Sequence, residues 1–192
     1  LDLNQVSNIQ VCCVTGNESR VNEELGWVDI VASDNYDFTI FEMLNLLIPE
    51  IHFIKGSALE IVVEINGQNL LVIHGHQLGK MDSNQVGKVI SKYAAKGVII
   101  NMIICGHLHE TMIRDNIARS SSLVGSNAYS ENALNLSGTA AQNIYIFTND
   151  GRHDIRIDLQ ETDLWDGYPI NKELSSYNAK SLNKTQEKQT IF

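Results

Sequence analysis

The sequence is short of the features that mark several protein classes. Three cysteines in 192 residues, two of them adjacent at Cys12 and Cys13, provide no disulfide framework, so a reducing, cytoplasmic compartment is expected. Basic residues are scarce: 14 Lys+Arg stand against 23 Asp+Glu, a formal net charge of −9. That balance argues against holding nucleic acid by bulk charge. It does not bar nucleic acid as a substrate, because a bound metal can supply local positive charge. No apolar run approaches the roughly 20 residues of a membrane span. The best, Val98 to Cys105, is broken by Asn101, so no membrane role is expected. No stretch has the pattern of a secretory signal, and there is no repeat, low-complexity tract or linker dividing two domains. What remains is ordinary for one folded domain with a real core: 43% hydrophobic and 19% charged residues.

Local patterns give the elements. Ile9 to Val14 is a short apolar run stopping at Gly16, as a buried strand feeding a loop does. Asp37 to Ile48 is helical in period, with Phe41, Leu44 and Leu47–Ile48 as its stripe, and Pro49 forbids continuation. Ala58 to Ile65 and Leu70 to Ile73 read as strands joined through Asn66-Gly67, a strong hairpin signal. Asp82 or Ser83 caps a helix with Val86, Val89, Ile90, Tyr93 and Ala94 inward, and Gly97 ends it. Val98 to Cys105 is a further buried strand. Short strands follow at Thr111–Arg114, Asn143–Phe147 and Asp154–Leu159, the last two joined by a turn at Asn149-Asp150-Gly151. Residues 1–160 therefore form one domain, and the polar stretch 161–192 is an extension packing on it, helical from Asn171 to Ala179. Helices alternating with strands, then mostly strands, predict an α/β or α+β fold of two packed sheets with helices outside. The chain opens at Leu1 rather than Met and closes on Thr190-Ile191-Phe192, which is expected of a fragment or a processed chain.

Three places share one design: an apolar strand runs into a glycine-bearing loop with a coordinating side chain. They are Gly16-Asn17-Glu18-Ser19-Arg20, His74-Gly75-His76 and Gly106-His107-Leu108-His109. Polar groups at the ends of buried strands converge on one edge of a sheet, where ligands bind. Imidazole suits manganese, iron, zinc or nickel, and an asparagine oxygen favours the harder of these ions. One His-x-His triplet alone is better read as an exposed polar loop; two after equivalent strands, with a Gly-Asn loop as third, favour a metal site. His52 and His153 are expected to be structural, and Cys12, Cys13 and Cys105 to behave as small buried hydrophobes.

The order Gly16-Asn17, His74-Gly75-His76, Gly106-His107-Leu108-His109, each after a strand, resembles the calcineurin-like metallophosphoesterases. The stretch Ser122 to Phe147 is similar to uncharacterised bacteriophage members, which would place the chain in a host cytoplasm. The resemblance reaches to about Leu159. It implies a four-layer α/β/β/α sandwich holding two divalent ions, manganese first among them, and a phosphate ester as substrate. By position, Asn17, His74 and His107 would hold the second metal and His109 the first, with His76 beside a substrate phosphate. The two ions would neutralise charge on the phosphoryl group. The family's Asp-x-His and Gly-Asp-x-x-Asp motifs are absent, so the N-terminal part and the remaining ligands are expected upstream. This chain alone is then expected to bind metal weakly and turn over little.

Glu18 stands where the family has a proton-donating histidine, and would act as an acid only if burial raised its pKa. Family members lacking that histidine favour phosphodiesters. Ser19 replaces the acidic residue that orients it. Arg20 is expected either to clamp a phosphate or to point into solvent. The leading reading is thus a metal-dependent phosphodiesterase, nucleases included. The alternatives are a phosphomonoesterase acting on a protein or small molecule, and a non-catalytic binding module that keeps the fold.

Overall fold

The computed structural model describes residues 8–21, 35–79, 81–126, 132 and 138–160. Its elements run β1 (Gln10–Cys12), α1 (Tyr36–Leu47), β2 (His52–Ile54), β3 (Glu60–Ile65), β4 (Gln68–Ile73) and α2 (Ser83–Ala94). There follow β5 (Met102–Cys105), β6 (Met112–Ile113), β7 (Ile117–Arg119), β8 (Ala141–Thr148) and β9 (Gly151–Asp158). The expected extension at 161–192, with its helix, lies outside the described residues.

Asn66 and Gly67 both have positive φ, 49° and 73°. That is the requirement of a type I′ turn, whose twist matches the strands it joins. The turn sets β3 against β4 in register, from Ile65 opposite Gln68 to Glu60 opposite Ile73. β4 is parallel to β5 and β5 to β7, and β6 closes the edge antiparallel, in the order β3-β4-β5-β7-β6. A parallel step requires a crossover, and α2 supplies it. Asp82 caps α2 by accepting the Gln85 N–H at 2.9 Å, and Gly97 follows its end with φ 81°.

Strand alternation splits the core in two. Leu71, Ile73, Ile103, Cys105 and Ile117 face one way and pack with Val86 and Tyr93 of α2. Leu70, Met102 and Ala118 face the other way, against Tyr145 and Phe147 of β8. Each fully buried Leu or Ile there contributes about 1.5–3 kcal/mol of transfer free energy. α2, the central mixed sheet and the β8–β9 hairpin are therefore three successive layers of an α+β fold. α1 covers β2, its Phe41 ring meeting Phe53 edge-on at 5.3 Å between centroids. In place of one continuous second sheet, the described residues hold two separate pairs, β1–β2 and β8–β9. No helix among the described residues is long and apolar enough to cross a membrane.

Two further expectations need correction, and one strand is new. The strand predicted over Val98 to Cys105 forms only from Met102. Asn69 donates its side-chain amide to Ile99 O at 2.8 Å and its own N–H to Asn101 Oδ1 at 2.8 Å, so side chains take part in the pairing there beside the one backbone bond from Asn101 N–H to Asn69 O at 2.9 Å. β7 was not anticipated: it has three residues, one of them a buried arginine. Finally, the predicted stripe of α1 is not a buried face. Only Phe41 is buried, while Leu44 and Leu47 are 39% and 72% exposed.

Candidate metal centre

Because β4 and β5 are parallel neighbours, their carboxyl ends open at the same edge. His74 follows β4 directly, and its carbonyl accepts the Gly106 N–H at 2.8 Å, which ties the two histidine loops together. Gly75 turns between them with φ 125°; a Cβ there would lie 2.8 Å from Met81 Cε and 3.0 Å from Gly106 O, so glycine is required. His107 and His109 both sit at positive φ, 77° and 54°, a conformation uncommon for side chains of this size. Tertiary bonds hold the loop there. Buried Arg119 donates its Nε–H to Glu110 O at 2.7 Å and ion-pairs with the Glu110 carboxylate at 3.1 Å. Ser121 Oγ donates to His109 O at 2.9 Å.

The third loop arrives from β1. Thr15 donates to Ala58 O through its N–H at 2.8 Å and its hydroxyl at 2.9 Å. Two residues later Asn17 meets both histidines. Asn17 Oδ1 lies 2.7 Å from His74 Nε2 and 3.2 Å from His107 Nδ1, and those two nitrogens are 3.1 Å apart.

Three atoms able to ligate a metal, from three loops, thus form a triangle. Ligands about 2.1 Å from a cation, at right angles to one another, stand about 3.0 Å apart, so the triangle fits one face of a coordination shell. Its chemistry fits as well. Burial first, and then the neighbouring His107 and His76, push the His74 pKa down to about 4. Burial also lowers His107, with His109 adding to it. Both rings are neutral at pH 7, the form that ligates a metal. Among the described residues no three His, Cys, Asp or Glu side chains converge on a metal position; here the third donor is an amide oxygen.

The triangle forms part of the wall of a cavity of about 570 Å³, which Glu18, Asp37, Leu108 and His109 also line. His109 reaches this wall but stands outside the triangle. Glu18 is exposed and accepts from Asn17 Nδ2 at 2.5 Å, which turns the amide oxygen toward the histidines. One oxygen of its carboxylate thus serves the ligand. Arg20 pairs through its backbone with Asn35, and neither Arg20 nor His76 is among the described lining residues. The His76 ring centroid is 5.8 Å from that of His74 and 6.3 Å from that of His107. Burial lowers the His76 pKa, and the nearby His107 lowers it further.

Sequence reasoning missed Asn35, Asp37 and Arg119. The signal for Asn35 was available, since asparagine before an apolar helical period is a capping pattern. Asp37 and Arg119 act across 21 and 9 residues of chain, which no local pattern announces.

No family model matches this chain, and no curated protein does. Among solved structures it is similar to Vps29 from Entamoeba histolytica complexed with zinc, at 17% identity and a TM-score of 0.42, covering 81% of this chain and 85% of that one. It is also similar to an archaeal phosphodiesterase, at 18% identity and a TM-score of 0.35, covering 65% and 64%. A third is a predicted phosphoesterase from Streptococcus pneumoniae, at 12% identity and a TM-score of 0.32, covering 58% and 73%.

Proposed function

We propose that this chain is a divalent-metal-dependent phosphoesterase that acts on phosphodiesters. The observation that carries the reading is the triangle of Asn17 Oδ1, His74 Nε2 and His107 Nδ1, all within 3.2 Å of one another. Bound there, a divalent cation supplies Lewis-acid charge to a phosphoryl group. The two neutral imidazoles and the amide oxygen hold it, and Glu18 fixes which end of the amide faces it. An oxygen donor beside two nitrogens favours manganese, with iron, zinc or nickel as substitutes. A further cation, beside the one at the triangle, would take His109 as its ligand from this chain.

The walls support a diester over a monoester. The described lining carries the Glu18 and Asp37 carboxylates and no lysine or arginine. A phosphodiester brings one negative charge into that field, and a monoester brings close to two. The acidic chain gives a nuclease reading no separate support. The reading as a metal-holding module without turnover is favoured by a different observation: both Asp37 oxygens accept hydrogen bonds from the Asn17 loop, which leaves that carboxylate without a free oxygen to bridge two cations.

Calorimetric titration with manganese, paired with hydrolysis of aryl phosphate mono- and diesters, tests these readings. A saturable site that His74→Ala removes, with the diester cleaved faster, is the expected result. Binding without hydrolysis of either ester supports the holding module. A faster monoester reverses the substrate class, and no binding by the wild-type chain rejects the metal site.

A further inference from the structure

The Asn17 loop is held by the first turn of a helix that begins nineteen residues later. Asn35 is fully buried, and its Nδ2 donates to Gly16 O at 2.9 Å. One Asp37 oxygen accepts the Gly16 N–H at 2.9 Å and the other accepts the Ser19 hydroxyl at 2.7 Å. The Tyr36 N–H donates to Ser19 O at 2.8 Å. Four bonds therefore bracket Asn17 and Glu18 on both sides.

Capping alone does not explain this arrangement. Asn35 does cap α1, its oxygen accepting the Asp37 N–H at 2.9 Å. The Asp37 carboxylate, by contrast, turns back: both oxygens receive hydrogen bonds from the loop. The fit is close as well. A Cβ at Gly16 would lie 3.2 Å from Asp37 Oδ2 and 3.3 Å from His74 Cε1, so carboxylate, loop backbone and ligand ring are packed in sequence.

We propose that Asn35 and Asp37 form a clamp that positions Asn17 for metal capture, with Asp37 as the residue that sets metal affinity from outside the ligand triangle. This rests on the reading of that triangle as a metal site. Groups that hold ligands in place typically account for about 10–100-fold in metal affinity, because a preset ligand spares the cation the cost of ordering it.

The test is manganese titration of the full chain, with thermal melting of each variant. Asp37→Ala is expected to weaken binding about 10–100-fold and to speed hydrogen exchange at the Gly16 amide in metal-free protein. Asp37→Asn keeps a carbonyl for that amide and should recover most of the affinity. Phe41→Leu loosens α1 at its contact with Phe53 but leaves the clamp, so it should lower the melting temperature and leave affinity unchanged. Should Asp37→Ala not fold, Ser19→Ala decides: several-fold weaker binding supports the clamp and unchanged binding overturns it. Wild-type affinity in Asp37→Ala, or an equal loss in Phe41→Leu, overturns the clamp while the metal site stands. No manganese binding by the wild-type chain overturns both.

Discussion

The two His-x-His triplets are alike in sequence and different in space. His74 and His107 meet at Asn17, whereas His76 and His109 diverge from that point. The cause is where each triplet starts. His74 is the first residue after β4, while Gly106 intervenes between β5 and His107. The Gly106 N–H to His74 O bond fixes this one-residue offset. Each chain then turns, at Gly75 in one loop and at His107 in the other. His76 is thereby carried into a short helical turn, and His109 to the cavity wall. Equal spacing along the chain is therefore a poor guide to equal roles; distance from the strand end decides them. The largest expected effect follows directly. His107→Ala should weaken manganese binding by more than the ~100-fold upper range for groups that only hold ligands, as His74→Ala should. His109→Ala and His76→Ala should leave the cation at the triangle within a few-fold of wild type, read by the same titration. Equal losses from all four substitutions would erase the distinction.

The offset can also be attacked through the backbone. Gly75→Ala would set a Cβ 3.0 Å from Gly106 O and 3.0 Å from His107 Cβ, at φ 125°. Gly67→Ala also meets a positive φ, 73°, but has nothing within 4 Å. Denaturant unfolding should therefore show a loss of about 1–2 kcal/mol at Gly67, the conformational cost alone. The loss at Gly75 should be larger, with weakened metal binding as well. Similar losses at both, with metal binding intact, would mean that the two loops are not locked together.

What the sequence made legible was local. The Asn66-Gly67 turn, both helices, the Asp82 cap and the Gly97 stop are short-range chemistry, and they fall where the pattern puts them. The three loops with Asn17, His74 and His107 were legible too, because strand ends in an open sheet share an edge. Contacts made across the fold were not. Asn69 shortens β5 by bonding to residues 30 and 32 positions away. β7 carries Arg119, a residue that argues against a core strand until Glu110 and Met81 are seen to receive its donors. Amphipathic period placed α1 correctly but misjudged its face: Ile40, Met43 and Leu46 are more than half exposed, while the helix's first turn does the work of holding the Asn17 loop.

The smallest expected effect concerns the metal-free chain, and it reads the protonation of His74 through the pH dependence of stability. An unfolded chain protonates its histidines as pH falls through 6.5, their ordinary pKa. In the native chain burial holds His74 neutral down to about 4. Between those values the unfolded state binds a proton that the native state refuses, so stability is lost progressively as pH falls from 6.5 toward 4. Above 6.5 the group contributes no slope. His107 and His76 are lowered in the same direction, also by burial first, so they add to the loss below pH 6.5. Part of His74 is open to solvent, which screens the effect. Urea midpoints at pH 7.5, 6 and 4.5 should fall in that order, and His74→Gln should flatten the fall. A slope in His74→Gln as steep as in the wild type would assign the proton uptake to other groups, and the neutral state of the ring at the centre of the triangle would lose its support.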